Sequence, residues 1–162
     1  MAIFANPNLK SRMADALEEI MANVCAAIMP SAGSPIERAL FEALVTLFYV
    51  MTGMLPDVAN QRALKSSAHW RITPQARIDG FRVDFLIEVF SDNLRVVIEC
   101  DGHAYHERTK AQAKKDRARD RDLQAMGYMV LRYTGSEIFT DPWGCAFDIW
   151  KKIESRHQEK AA

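Results

Sequence analysis

The stretch from Phe81 to Asp101 constrains the fold of this chain most strongly, because it has the composition of two neighbouring strands. Its two halves are rich in β-branched and aromatic residues and read FRVDFLIEVF and LRVVIECD. Between them, Asp92-Asn93 is typical of a tight turn. The sequence therefore predicts an antiparallel β-hairpin at the centre of the fold.

Three carboxylates lie within this hairpin, at Asp84, Glu99 and Asp101. Side chains alternate between the faces of a strand, so Glu99 and Asp101 share one face. A loop at 92–93 and a loop at 91–94 give the same register, which places Asp84 opposite Asp101 and diagonal to Glu99. We therefore expect the three acids to converge on one patch.

Three acids on one patch are unfavourable, because like charges disfavour ionisation and buried acids need partners. A hard divalent cation such as Mg²⁺ or Mn²⁺ would offset them, since it prefers carboxylate oxygens. The alternative is that arginines pair with the acids on a solvated face, and the candidates are Arg82, Arg95 and Arg132. The hairpin alone leaves both interpretations open.

The composition limits the classes of protein to which this chain can belong. Its 162 residues suit one domain with an appendage, and 21 basic residues balance 21 acidic ones, so any nucleic-acid surface must be local. The three cysteines lack zinc-site spacing and predict reduced thiols in a cytoplasmic protein. We expect no signal peptide and no membrane span, because the apolar run at 39–55 is short and contains Glu42.

Residues 1–30 are predicted to form a separate amphipathic helix, with its apolar stripe between residues 8 and 29. Such a stripe packs either onto the domain or onto another subunit. The sequence Pro30-Ser-Ala-Gly-Ser34 then breaks the chain, and the main domain is predicted at 34–158.

The next helix begins with Ser34, Pro35 and Glu37, which have the spacing of a capping box, and it runs to about Thr52. Glu37 also heads the apolar stripe of this helix, so its carboxylate points toward the core or toward a site at its edge. The two roles, cap and functional acid, are compatible.

The remaining elements follow in a simple order. We predict a strand at 70–78 interrupted by Pro74, a hairpin turn at Asp79-Gly80, a helix at 110–126, a strand at 128–133 and a last helix from Asp141. The helix at 110–126 is dense in charge, and its basic residues either form a solvated face or reach phosphates. Its candidates for phosphate contact are Lys110, Lys114, Lys115 and Arg119.

This order of elements and acids resembles the restriction-endonuclease-like core of the PD-(D/E)xK nuclease superfamily, over roughly Ser34 to Asp141. The residues that carry the resemblance are Arg82-Val-Asp-Phe85, Val97-Ile-Glu-Cys-Asp-Gly102, His106, Asp116, Arg119-Asp120, Leu123, Gly127 and Val130-Leu-Arg132. Within the superfamily, the chain is similar to an uncharacterised bacterial domain family related to very-short-patch mismatch repair endonucleases. The resemblance implies an α/β fold with a mixed sheet of about four strands (αβββαβ) and extra N- and C-terminal helices.

The resemblance also implies roles for individual residues. Asp84 resembles the central metal-binding Asp, Glu99 the acid of the (D/E)xK element, and Glu37 the helix acid that often completes the site. Asp101 stands where the superfamily usually has Lys, and a lysine of the following helix would then supply the cation. His106, or less strongly His103, resembles the histidine near the metal in the mismatch endonucleases.

Together these observations predict a Mg²⁺- or Mn²⁺-dependent DNA endonuclease of DNA repair, restriction or mobile-element processing. Asp84, Glu99 and Asp101 are the expected metal ligands; Glu37 assists, and His106 acts on water or on the leaving group. One alternative is a catalytically silent module that binds DNA or protein. Another is a subunit, either a homodimer or part of a larger DNA-processing complex, that assembles through residues 8–29.

Overall fold

The computed structural model describes residue 15 and residues 33–54, 57–58, 70–102 and 110–161. Nearly all of the predicted N-terminal helix, together with His103 and His106, lies outside these residues. None of the described helices combines the length and the hydropathy that a membrane-spanning segment needs.

The predicted helices and strands follow one another in the expected order around a mixed sheet, and a two-residue strand at 57–58 and a short helix at 135–140 were not predicted. The helices are α1 (Pro35–Thr52), α2 (Lys110–Ala125), α3 (Gly135–Thr140) and α4 (Pro142–Ala161). The strands are β1 (Asp57–Val58), β2 (Trp70–Pro74), β3 (Arg77–Ile78), β4 (Phe81–Arg82), β5 (Phe85–Val89), β6 (Leu94–Asp101) and β7 (Met129–Thr134). The main sheet has the strand order β1-β2-β5-β6-β7, in which β2, β5 and β6 are antiparallel and β6 and β7 are parallel. Four strands of five to eight residues and the short β1 confirm the predicted fold class.

A small hairpin interrupts both strands that the sequence predicts before β6. Strands β3 and β4 pair with each other in a separate two-stranded sheet, and the turn between them is Asp79-Gly80, as predicted. Both turn residues have positive φ, 45° and 84°, which is the reason for glycine at the second position. The predicted strand at 70–78 is interrupted after Pro74, as expected, whereas the prediction of an unbroken strand from Phe81 was wrong, because the chain leaves the sheet between Arg82 and Phe85.

The register of the central hairpin also differs from the prediction. Phe85 pairs with Ile98 and Val89 with Leu94, so Asp84 lies opposite Glu99 rather than opposite Asp101. The cause is the connection, which is a short 3₁₀ helix at 90–92 closed by Asn93 in the left-handed conformation, with φ 49°. A shift of two residues preserves the face, so the acids still lie on one side of the sheet.

Two hydrophobic clusters cover the two faces of the sheet. The larger one packs α1, α3 and α4 against one face, where β6 contributes Val96 and Ile98. The smaller one packs Leu123 of α2 against Val97 on the other face. Glu99 and Asp101 continue the alternation of Val97, so they lie on the face that α2 covers.

Candidate active site

The end of β6 carries two buried carboxylates beside α2. Glu99 is 7% exposed and Asp101 is 6% exposed. A buried carboxylate without a partner is costly, so the contacts of each acid decide what it can do.

Asp84 is held next to Glu99 by the backbone of β6. The N–H of Cys100 donates to Asp84 Oδ2 at 2.7 Å, and Gln75 Nε2 lies 3.5 Å from Asp84 Oδ1. Burial raises the pKa of Asp84, and the nearby Glu37 carboxylate raises it further. Asp84 is therefore a fixed carboxylate whose negative charge is disfavoured in its surroundings.

Glu99 is in a similar electrostatic position. Arg119 of α2 contacts Glu99 Oε1 through its Nη2 atom and donates from the same atom to the carbonyl of Arg82 at 2.5 Å. Burial nevertheless outweighs this contact, and with the charge of Asp84 it raises the pKa of Glu99 to about 7. The arginine therefore compensates the charge of Glu99 only in part.

Asp101 differs, because a single arginine engages both of its oxygens. Arg132 of β7 donates from Nε to Oδ2 at 3.0 Å and from Nη2 to Oδ1 at 2.7 Å. The third nitrogen of Arg132 donates to Asp120 Oδ1 at 2.9 Å. This is the arginine pairing that the sequence offered as an alternative, and the structure shows it for Asp101. The role of Asp101 as a metal ligand remains a prediction.

Glu37 at the start of α1 serves as a cap and also faces the other acids. Ser34 caps the helix as predicted, and it donates from Oγ to Glu37 Oε1 at 2.8 Å. Oε2 of Glu37 accepts from the N–H of Gly33 at 2.9 Å and from Gln75 Nε2 at 2.5 Å. The Glu37 carboxylate thus binds the N–H of Gly33, one residue before the Ser34 N–H that a capping box would use. It is also linked through Gln75 to Asp84.

Sequence reasoning missed Gln75. The residue lies where β2 ends, and its φ of 52° places it in the left-handed region, which non-glycine residues rarely adopt. Its N–H donates to the carbonyl of Asp84 at 2.7 Å, so the break between β2 and β3 sets Gln75 directly beside Asp84. The only sequence signal was the Pro74-Gln75 interruption of a strand pattern, which marks a break but gives no role.

Of the basic residues predicted to contact phosphates, the structure brings Arg119 to the acids. Lys114 and Lys115 are exposed on α2, whereas the side chain of Lys110 lies outside the described residues. Among the residues that the structure describes, the buried Nε of Arg119 has no hydrogen-bond partner. The expectation that a lysine of this helix supplies the missing cation remains a prediction.

Comparison with known families identifies the chain. Residues 59–153, more than half of the sequence, match the family REase_MTES_1575, which is a restriction-endonuclease-like family. The chain belongs to this family. Comparison with curated proteins and comparison with solved structures gave no match.

Membership in REase_MTES_1575 indicates a nuclease-type function. The matched segment contains Asp84, Glu99, Asp101 and Arg119, whereas Glu37 precedes it. A relation to the very-short-patch mismatch repair endonucleases remains a prediction.

Restriction-endonuclease-like sites imply a divalent cation, and the donors can be tested against it. Among the residues that the structure describes, no three His, Cys, Asp or Glu side chains form a group that could hold a metal. Mg²⁺, however, usually keeps several waters and takes only one or two carboxylates from the protein. Asp84, which is half-buried, and Glu99, which is buried, fit this requirement, because desolvation raises the pKa of both and a cation would stabilise their charge.

Proposed function

We propose that this chain is a Mg²⁺- or Mn²⁺-dependent DNA endonuclease that hydrolyses phosphodiester bonds. The observation that carries the proposal is the proximity of the Asp84 and Glu99 carboxylates. Both acids are fixed at the end of the β5–β6 hairpin that lies away from its turn, burial raises the pKa of both, and Arg119 opposes their charge. Such unfavourable charge is typical of sites that bind a cation.

The acids would bind the cation, and the neighbouring residues would orient the substrate. Asp84 and Glu99 are the proposed ligands, and a bound divalent cation polarises a phosphoryl oxygen and lowers the pKa of an attacking water. Glu37 orders the edge of the site through Gln75. Arg119 lies beside Glu99, where the positive charge of its guanidinium would stabilise negative charge on the phosphate. His106 remains the predicted group for proton transfer.

A catalytically silent DNA-binding module is the second candidate, and the ion pairs favour it. Arg132 already neutralises Asp101, and Arg119 already contacts Glu99. Such pairs would let the acids persist in a protein that has no need for a cation.

Cleavage assays separate the two candidates. The purified chain is incubated with single-stranded, duplex, mismatched and branched DNA in Mg²⁺, Mn²⁺ or EDTA. The endonuclease proposal predicts cleavage that requires metal and that falls by more than ~100-fold in Asp84→Asn and Glu99→Gln, since direct ligands matter at least as much as their supporting contacts. The matched control is Glu88→Gln, an acid of β5 that pairs with Arg71 instead.

Metal-independent cleavage, or equal cleavage by wild type and Asp84→Asn, would contradict the proposed site. DNA binding without cleavage of any substrate would favour the silent module.

A further inference from the structure

Gln75 occupies a backbone position that suits its side chain poorly. With φ at 52°, the left-handed conformation favours glycine or asparagine, since other side chains crowd the backbone there. Strained positions of this kind tend to occur where a side chain is needed at a defined place. The contacts of Gln75 show what that place is.

The Gln75 amide lies between two acids from different parts of the fold. Its Nε2 atom is 2.5 Å from Glu37 Oε2 on α1 and 3.5 Å from Asp84 Oδ1 before β5. A primary amide has two N–H donors, so one nitrogen can serve both carboxylates. Gln75 therefore links the start of α1 to the acid that is proposed to bind metal.

The Gln75 amide is uncharged, in contrast to the arginines that contact the other acids. Arg132 neutralises Asp101 and Arg119 opposes Glu99, so these guanidinium groups remove negative charge from the site. An amide holds carboxylates by hydrogen bonds but leaves their full charge in place. Glu37 and Asp84 can thus be fixed close together while they remain able to attract a cation.

We propose that Gln75 is a positioning residue that holds Glu37 and Asp84 in place for a divalent cation, an inference that rests on the proposed endonuclease function. It donates to both acids, and it neither reacts nor carries charge. Its contribution is the fixed orientation of Asp84, which metal binding would otherwise have to impose at an entropic cost.

The variant Gln75→Met tests this role, because methionine keeps the length of the side chain and the same backbone conformation but has no donor. Mn²⁺ affinity, measured by calorimetry without DNA, should fall by about 10-fold, the lower end for loss of a contact that supports a metal ligand. For cleavage, kcat should fall and the KM for DNA should change little. The matched control is Gln124→Met on α2, where glutamine is exposed and both quantities should stay at wild-type values.

A charge swap gives the second, independent measurement. Gln75→Glu places a third carboxylate between Glu37 and Asp84, so Mn²⁺-free protein should lose stability. In the double variant Glu37→Gln/Gln75→Glu, an amide at position 37 faces a carboxylate at position 75, so one donor again faces one acceptor. The net charge of the double variant equals that of the wild type. We expect it to recover part of the melting temperature that Gln75→Glu alone loses, as a coupled pair should.

The outcomes separate this inference from the proposed function. Wild-type Mn²⁺ affinity and kcat in Gln75→Met, or no recovery in the swap, would overturn the role of Gln75 and leave the endonuclease proposal intact. A wild-type chain that neither binds Mn²⁺ nor cleaves DNA would overturn the proposed function, and the role of Gln75 with it.

Discussion

Glu99 and Asp101 lie two residues apart on one face of β6, are equally buried, and have different surroundings. Arg132 forms a two-pronged ion pair with Asp101 and continues to Asp120. Glu99 receives one arginine contact, and burial together with Asp84 holds its pKa at about 7. The difference lies in the charge balance around each acid, and it is the reason that we propose Glu99 rather than Asp101 as a ligand of the cation.

The largest effect is expected at Arg132, which pairs with Asp101. Arg132→Met should lower the free energy of unfolding by about 3 kcal/mol, because it leaves Asp101 buried and without its arginine. Chemical denaturation in EDTA measures this loss. Arg156→Met on α4 is the control, since Arg156 forms an exposed pair with Glu159 that contributes little. Equal stability of Arg132→Met and wild type would show that the Asp101 pair is not structural.

The next largest effect is expected at Arg119, which compensates the charge of Glu99 only in part. Arg119→Met should lower cleavage by at least ~10-fold, the low end for loss of a group that stabilises charge in the transition state. Lys114→Met and Lys115→Met should cleave at nearly wild-type rates, because Arg119 is the basic residue of α2 that the structure places against Glu99. Single-turnover rates at saturating metal compare the three variants. A larger loss in either lysine variant than in Arg119→Met would restore the original expectation of a catalytic lysine on α2.

Glu37 extends the comparison to an acid whose hydrogen-bond donors, within the described part of the chain, are all neutral. Glu37→Gln can keep the bonds from Gly33 and Gln75 through its oxygen and donate from its nitrogen to Ser34 Oγ. Stability should therefore change by less than ~1 kcal/mol, the usual value of a cap. Mn²⁺ affinity should fall by about 10-fold, in the range for groups that support metal ligands. Full Mn²⁺ affinity in this variant would reduce Glu37 to a helix cap.

The smallest effect is expected at Thr134, whose backbone pairs with Asp101 but whose hydroxyl contacts Glu137 rather than an acid of β6. Thr134 accepts from the N–H of Glu137 and completes a capping box at α3. Thr134→Ala should cost about 1 kcal/mol of stability and leave Mn²⁺ affinity unchanged. A change of Mn²⁺ affinity here would mean that general destabilisation, rather than specific contacts, explains losses at the site.

The sequence predicted the faces of the strands well and their register poorly, for one physical reason. Hydrophobic alternation has a period of two, so a shift of two residues leaves every side chain on its predicted face. The pattern therefore placed Asp84, Glu99 and Asp101 on one side of the sheet. It could not show that the turn at 90–93 pairs Asp84 with Glu99, because the left-handed Asn93 that sets this turn leaves no trace in the alternation.

Contacts between distant segments could not be predicted from the sequence either. Arg132 was among three arginines that could pair with the acids, and only the parallel pairing of β6 with β7 selects it, by setting Asp101 opposite Thr134 and Glu99 opposite Arg132. Gln75 could not be selected at all, because its role depends on a left-handed backbone that glutamine does not predict. The cap at Ser34 was predictable, because all of its determinants are local.

We propose that Asp84 and Glu99 bind the cation and that Asp101, engaged by Arg132, contributes little to its affinity. Calorimetric titration with Mn²⁺ of wild type, Glu99→Gln and Asp101→Asn tests it directly, with circular dichroism to verify that each variant is folded. The account predicts that Glu99→Gln weakens Mn²⁺ binding by about 100-fold. It predicts that Asp101→Asn changes the affinity by less than about 3-fold, because both oxygens of Asp101 are engaged by Arg132. An equal loss of affinity in the two variants, or a loss in Asp101→Asn alone, would contradict it.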